Sequence, residues 1–486
     1  MSLRSKGIHA MKWSSLGTVV SIVVQLLQLI MVSHLLSPKD YGLMGMIMVI
    51  VAAAVNLTDM GISNAIIHRQ DVTRDHLSSL YILNLVMSAL ISLLIWLSAP
   101  FVAAFYNEPA LVSPVRWMSL LCLIPAFGQQ FEVLSRKELK FDNISKIQIA
   151  AYIGGFVIAL TGALLGFGVY ALVGSYLGNA LIKSVCLMFL GWKTWTPRLH
   201  FAREDLRGYL RFGVYQMSSN LLQSLISNID YMIIGRMYGA STLGYYSFAF
   251  QLCNMPIQKL SPLINTVSLP IFAKMQMQQE LLRSGYVKMM GYVSYLNAPI
   301  YLGILVTAPS LVPFVFGDQW LPSVVIIQIL SATMMVRMLT LPVQPLLQSK
   351  GRTDVYFQFT LISMLIQAPG LFIGAYFGGV IGISIAYLLI QIVLMLVQYL
   401  FAIKRTLGPC GSDCLKSVLP GLGFGGIMVA GVLLINQLVD WLFSSEVNFI
   451  FQVVCGAVFY LTAILVFNPS AMMNLREVIQ RKGKLD

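Results

Sequence analysis

Between Val355 and Ile403 the chain carries no Asp, Glu, Lys or Arg. A helix needs only about 20 apolar residues to cross a bilayer, so a run this long holds a pair of spans. Other charge-free stretches extend from Leu77 to Asn107, from Ile147 to Ile182 and from Met289 to Gly317. Unpaired backbone groups are so costly in lipid that a spanning element is either a helix or a closed barrel. Uninterrupted apolar runs do not fit the alternating strands of a barrel. The chain therefore reads as an all-α integral membrane protein. Composition agrees: 57% of the 486 residues are hydrophobic and 10% are charged, against roughly 25% charged in a soluble domain.

Apolar segments bounded by charges, Pro and Gly place about fourteen transmembrane helices. They lie near 14 to 36, 42 to 66, 78 to 105, 112 to 134, 144 to 166, 169 to 191, 209 to 238, 244 to 272, 286 to 308, 321 to 347, 355 to 377, 380 to 402, 417 to 439 and 447 to 468. The fourth, ninth and tenth are expected to be the least regular, because proline interrupts them. The basic start "MSLRSKGIHAMKW" leads into an apolar run from Ser14 to Leu36. That run is too long for a signal peptide and lacks a small-residue cleavage site, so it reads as an uncleaved first span. Orientation follows from the basic residues. With a cytoplasmic N-terminus, 26 of the 32 fall on the inner side, while Lys39, Arg116 and Arg236 fall outside and Lys183, Lys259 and Arg337 within spans. Such alternation is a positive-inside signature with both termini cytoplasmic. It accounts for the net charge of +13 without nucleic acid, and directs a basic surface toward anionic membrane lipids. Of the six cysteines, Cys410 and Cys414 share a loop on the reducing side, where free thiols are expected rather than a disulfide or zinc pair.

The chain also repeats itself. At a spacing of 202 residues, "QLIMVSHLLSPKDYGLMG" aligns with "SNIDYMIIGRMYGASTLGYY", setting His34 against Arg236 and Gly42 against Gly244. At a spacing near 211, "GFGVYAL" (166 to 172) aligns with "FGGVIGI" (377 to 383). Two correspondences in the same order divide the chain into six-helix halves, 1–206 and 207–406, and a further helix pair with a tail, 407–486. Both halves start on the same side, so they are parallel repeats with a central cavity expected between them, an architecture suited to alternating access.

Charges at membrane depth cost about 2.5 to 3.5 kcal/mol on insertion scales, so each must face protein, water or a partner. Lys259 is flanked by Pro256 and Pro262, and Arg337 is followed by Pro342 and Pro345. Cations beside proline-opened backbone suit an anionic headgroup, Arg as a fork for phosphate oxygens and Lys as a point charge. The competing reading pairs them with Asp59 or Asp230. Lys183 lies nearer the inner end, where it either binds or snorkels. Asp230 either titrates, as coupling carboxylates do, or is a fixed partner for Arg236 or Lys259.

Several stretches carry a family resemblance: "DMGISNAIIHR" (59 to 69), "GQQFEVLSRKELKF" (128 to 141), "RFGVYQMSSNLL" (211 to 222), "NIDYMIIGRMYGASTLGYYSFAF" (228 to 250), "PIQKLSPLINTVSLPIFAKMQ" (256 to 276) and "VPFVFGDQW" (312 to 320). Together they resemble the polysaccharide exporter branch of the multidrug/oligosaccharidyl-lipid/polysaccharide flippase superfamily, Wzx-type exporters of colanic and teichuronic acid. The resemblance implies a flippase of the bacterial cytoplasmic membrane that turns undecaprenyl-diphosphate-linked oligosaccharide from the inner to the outer leaflet. It further implies an ion gradient or membrane potential as driving force, no cofactor, and the pathway's polymerase and export machinery as partners. Carried onto this chain, it makes Arg337, Lys259 and Lys183 the diphosphate and sugar cations, and Asp230 and Asp59 the coupling or structural charges.

Rival classes fit less well. A glycan polymerase or other membrane enzyme would want a carboxylate or metal cluster on a sizeable loop, and the longest inner connection, "KTWTPRLHFAREDLRGYLR", is short and mostly basic. No nucleotide-binding glycine loop or metal-ligand spacing is present. A drug/cation antiporter of the same superfamily would use cavity carboxylates, whereas the candidates here are mainly cationic.

Overall fold

The computed structural model describes residues 3–58, 63, 66, 73–138, 140–198, 200–202, 221, 223–224, 226–439 and 445–467. Among them every regular element is a helix. The α-helices are α1 (Leu3–Leu35), α2 (Pro38–Thr58), α3 (Arg74–Tyr106), α4 (Val112–Met118), α5 (Leu120–Lys137), α6 (Phe141–Leu164), α7 (Val169–Gly191), α8 (Ile229–Met275), α9 (Gln279–Phe316), α10 (Ser323–Leu339), α11 (Val343–Ser349), α12 (Thr353–Gln398), α13 (Lys404–Leu407), α14 (Gly411–Val439) and α15 (Ser445–Phe467). Eleven helical stretches among the described residues are long and apolar enough to cross a membrane. One of them, Asp354–Leu407, has 54 residues, roughly 80 Å at 1.5 Å per residue, and bends at Gly378 and Gly379. It accommodates the expected eleventh and twelfth spans. The first part of the expected seventh span, 209–220, lies outside the described residues; its end and the eighth fall within α8, which is not among the eleven.

Proline shapes these helices less than its positions suggest. The tenth span does part, at Thr340 to Pro342, into α10 and α11. The fourth parts at Ser119, ahead of Pro125. By contrast α9 runs through Pro299, Pro309 and Pro313, and α8 stays helical through Pro256, Pro262 and Pro270. Its non-helical residue is Gly239, at φ 79° and ψ −179°, a conformation that costs other residues dearly. The expectation of a proline-broken backbone around Lys259 is thus corrected. The prolines each remove a backbone donor, but the helix is bent at a glycine.

The chain forms two compact units, Met1–Ser247 and Phe248–Asp486. In the first, α6 packs on α1 and α7, and α5 on α3 and α7. Small residues permit this: a Cβ on Gly162 would touch Ala171, and one on Gly128 would press into the Ser184 backbone. In the second, α9 packs on α10, α14 and α15, and α10 on α12. Ser294 Oγ donates to the Val418 carbonyl at 2.8 Å and Ser417 Oγ to the Val287 carbonyl at 2.8 Å. Gly291 and Gly421 sit beside those same serines.

The two sequence correspondences have local structural counterparts. Gly168, opening α7, adopts φ 53° and ψ −130°; its counterpart Gly379 adopts φ 60° and ψ −144°. Both occupy backbone space that only glycine enters freely. At the other correspondence, a Cβ on Gly42 would run into the carbonyl oxygen of Ala240, and one on Gly244 into that of Pro38. Pro38 and Ala240 stand at the same 202-residue offset as the two glycines. The start of α2 and the segment of α8 after the kink therefore meet in a reciprocal contact, each glycine seated on the other's turn.

Candidate functional site

Just beyond this contact, the bend at Gly239 brings Tyr246 back over the start of α8. Its hydroxyl donates to Asp230 Oδ2 at 2.7 Å, while Oδ1 accepts the Tyr231 N–H at 3.0 Å. Asp230 is 2% exposed and Tyr246 fully buried, and the rings of Tyr231 and Tyr246 meet edge to face at 5.8 Å. The expected partner Arg236 instead lies over the ring of Phe105, 5.8 Å from its centroid. Asp230 is thus tied across the kink to a tyrosine sixteen positions on. A hydrogen bond to a charged group is worth about 1.5 to 3 kcal/mol, so Tyr246→Phe is expected to lower stability by about that amount, read from thermal unfolding in detergent. Asp230→Asn keeps an acceptor for Tyr246. Intact export in that variant marks a structural carboxylate, and lost export with normal stability marks a coupling one.

Farther along the first unit, α5 and α7 approach closely at Gly128 and Ser184. Phe131 and Val133 anchor α5 in an apolar cluster with Leu80, Tyr81, Leu187 and Trp195. Between those two anchors, the backbone turns Glu132 toward α7. Its Oε2 lies 2.9 Å from Lys183 Nζ, and its Oε1 lies 2.6 Å from Arg136 Nη2. Lys183 is thus held in an ion pair, and Glu132, to which the sequence reading assigned no role, is its partner. The same helix carries a polar ladder: Asn84 donates to Gln129 Oε1 at 3.2 Å, Gln129 donates to Ser63 Oγ at 3.1 Å, and Gln130 to the Leu77 carbonyl at 2.8 Å. The visible signal was "GQQFE", three hydrogen-bonding side chains in the midst of an apolar span.

The second unit holds the other two cations. Arg337 lies in the last turn of α10, and its Nη1 donates to the Tyr387 hydroxyl of α12 at 3.4 Å. Tyr301 and Tyr356 lie within electrostatic reach of the same guanidinium. Asn297 of α9 donates to the Met335 carbonyl at 2.8 Å and steadies this end of α10. Among the described residues, Arg337 has no carboxylate partner, and Lys259 has no ion pair or hydrogen bond. Tyr301 comes from α9, and Tyr356 and Tyr387 stand 31 positions apart on α12, so no short spacing in the sequence groups them with Arg337. Asp59 lies outside the described residues. Among the described residues, no group of three or more His, Cys, Asp or Glu side chains is placed to hold a metal, and the cysteines are free thiols. Cys410 and Cys414 lie 3.9 Å apart at the start of α14. The Cys414 thiol and the Arg283 charge pull the Cys410 thiol down to about 7.

Residues 31–325 match the model of a family described as "Polysaccharide biosynthesis protein". The chain is 32% identical over 409 residues to the lipopolysaccharide biosynthesis protein WzxC of Escherichia coli, covering 84% of this chain and 83% of the relative. It is 29% identical over 487 residues to the teichuronic acid biosynthesis protein TuaB of Bacillus subtilis, covering 100% and 99%. Among solved structures it is similar to the lipid II flippase MurJ in an inward closed conformation, at a TM-score of 0.76 and 13% identity over 94% of this chain and 99% of that one. An inward-facing multidrug resistance transporter of the MATE family, in the MOP superfamily, gives a TM-score of 0.62 at 16% identity over 84% and 99%. At these identities the two structures establish a shared transporter fold.

Proposed function

Since this chain belongs to the polysaccharide biosynthesis protein family, we propose that it is a flippase for lipid-linked oligosaccharide, turning undecaprenyl-diphosphate-linked repeat units across the bacterial cytoplasmic membrane. The observation that carries this reading is the pair Arg337 and Lys259, which have no carboxylate partner among the described residues. A cation held at membrane depth without a counter-charge is costly, and a diphosphate headgroup supplies the missing charge. Arg337 offers its fork to phosphate oxygens, with the Tyr387 hydroxyl beside it, and Lys259 adds a point charge. Lys183 is a third cation of the path. Relatives named for lipopolysaccharide and teichuronic acid biosynthesis support a glycan as the cargo.

The chain is a multi-pass membrane protein. In the proposed arrangement both termini are cytoplasmic, following the 26-to-3 distribution of basic residues. Fourteen spans are organised as halves 1–206 and 207–406 with a helix pair in 407–486. Transport in this reading makes and breaks no covalent bond and uses no cofactor; an ion gradient or the membrane potential drives it, with Asp230 or Asp59 as coupling candidates. Membrane lipids surround it, and the pathway's polymerase and export machinery take over the product.

Deleting the gene tests the reading. The expected phenotype is loss of the surface glycan with accumulation of lipid-linked repeat units, unchanged drug susceptibility, and rescue by the intact gene. Full glycan production together with new sensitivity to cationic drugs would instead identify a drug/cation antiporter.

A further inference from the structure

The Glu132 ion pair has a geometry that a purely structural bridge does not need. One carboxylate joins cations from two helices and gives each its own oxygen: Oε1 faces Arg136 of α5 and Oε2 faces Lys183 of α7. Arg136 closes on Oε1 through both Nε and Nη2, at 3.2 and 2.6 Å. The Glu132 side chain is 13% exposed, Lys183 29% and Arg136 51%, so the cations are more open than the anion between them. Two cations on one carboxylate leave a surplus of positive charge among these three groups. Two donors converging on adjacent oxygens of one anion also describe how Arg and Lys hold a phosphate, by fork and by point charge.

We propose that Glu132 is a stand-in anion, occupying the Lys183–Arg136 pair in the unloaded protein and giving way to a phosphate of the polyprenyl diphosphate substrate. The proposal rests on the flippase reading and adds to it Glu132 and Arg136, and the function of setting release. Without an internal anion, the two cations would lose their counter-charge each time the substrate left, and an uncompensated charge carries a desolvation cost. Glu132 swings back as the diphosphate departs and removes that cost, so affinity stays low enough for turnover. A diphosphate outcompetes the carboxylate because it carries more charge and more acceptor oxygens.

The test is binding of undecaprenyl diphosphate to the full-length protein in phosphatidylcholine nanodiscs, with glycan export measured in cells. Glu132→Gln keeps the shape and removes the charge. It is expected to bind the probe about tenfold or more tightly than the unaltered protein and to export more slowly, while Lys183→Gln binds at least tenfold more weakly. Glu132→Asp, with the charge retained, is expected to fall between, and melting temperatures show that each variant is folded. Equal or weaker binding by folded Glu132→Gln overturns the stand-in role and leaves a structural bridge. Parallel arms add phosphatidylglycerol or inorganic diphosphate as competitors; equal competition by either overturns the assignment to the substrate. Failure of the unaltered protein to bind undecaprenyl diphosphate would refute the flippase reading itself, whereas binding that ignores Glu132 refutes only this inference.

Discussion

Arg337→Ala is expected to cut glycan export by at least about tenfold while the protein remains in the membrane at its normal level. A hydrogen bond to a charged group contributes about 1.5 to 3 kcal/mol, a factor of roughly ten to a hundred in affinity. The variant removes Arg337's charge and its contact to Tyr387 without touching an ion pair, since Arg337 has no carboxylate partner among the described residues. No buried acid is orphaned, so stability should change little. Lys259→Ala is expected to act in the same direction, and the double variant to be null. Arg337→Lys separates charge from shape: it keeps the point charge and loses the fork, so partial export is expected. Full polymer production in both alanine variants would remove these cations from the transport path.

The second large effect is expected at the reciprocal glycine contact. Gly244→Val places a side chain against the Pro38 carbonyl, and Gly42→Val against that of Ala240. Backbone cannot rotate away as a side chain does. Each valine should therefore force α2 and α8 apart, at a cost above the 1 to 3 kcal/mol typical of an overpacked core, with loss of export and of folded protein. The alanine variants are the finer probe. Each should lower thermal stability by about 1 to 3 kcal/mol. The double variant should lose less than the sum, because a contact already opened from one side has less left to lose from the other. Strict additivity would show that the two glycines sit in independent contacts.

The parts of this fold that are legible in the sequence are those set by solvent. A run without charge from Val355 to Ile403 has few ways to exist in water, and it forms the long stretch Asp354–Leu407. Glycine was legible where the backbone demanded it: Gly168 and Gly379 were aligned by sequence and share an unusual conformation. Proline was a poorer guide. A membrane helix tolerates the lost donor when neighbours or the adjoining backbone take up the freed carbonyl, and α8 passes three prolines to bend at Gly239. Site chemistry was the least legible, because its partners are distant in sequence. Glu132 and Lys183 meet because Gly128 lets α5 close on α7. Asp230 meets Tyr246 because a kink folds α8 back on itself. A one-dimensional reading sees the charges and has no means of seeing the approach.

Leaflet-resolved transport by the purified protein distinguishes a flippase from a protein that only binds the lipid-linked glycan. The protein is reconstituted into sealed vesicles carrying undecaprenyl-diphosphate-linked oligosaccharide, and the glycan newly exposed on the opposite leaflet is followed with a membrane-impermeant lectin under an imposed ion gradient and membrane potential. A flippase gives exposure that depends on the protein, is lost with Arg337→Ala and Lys259→Ala together, and is absent from empty vesicles. Exposure no faster than in empty vesicles, with folded protein and an intact gradient, would contradict that function.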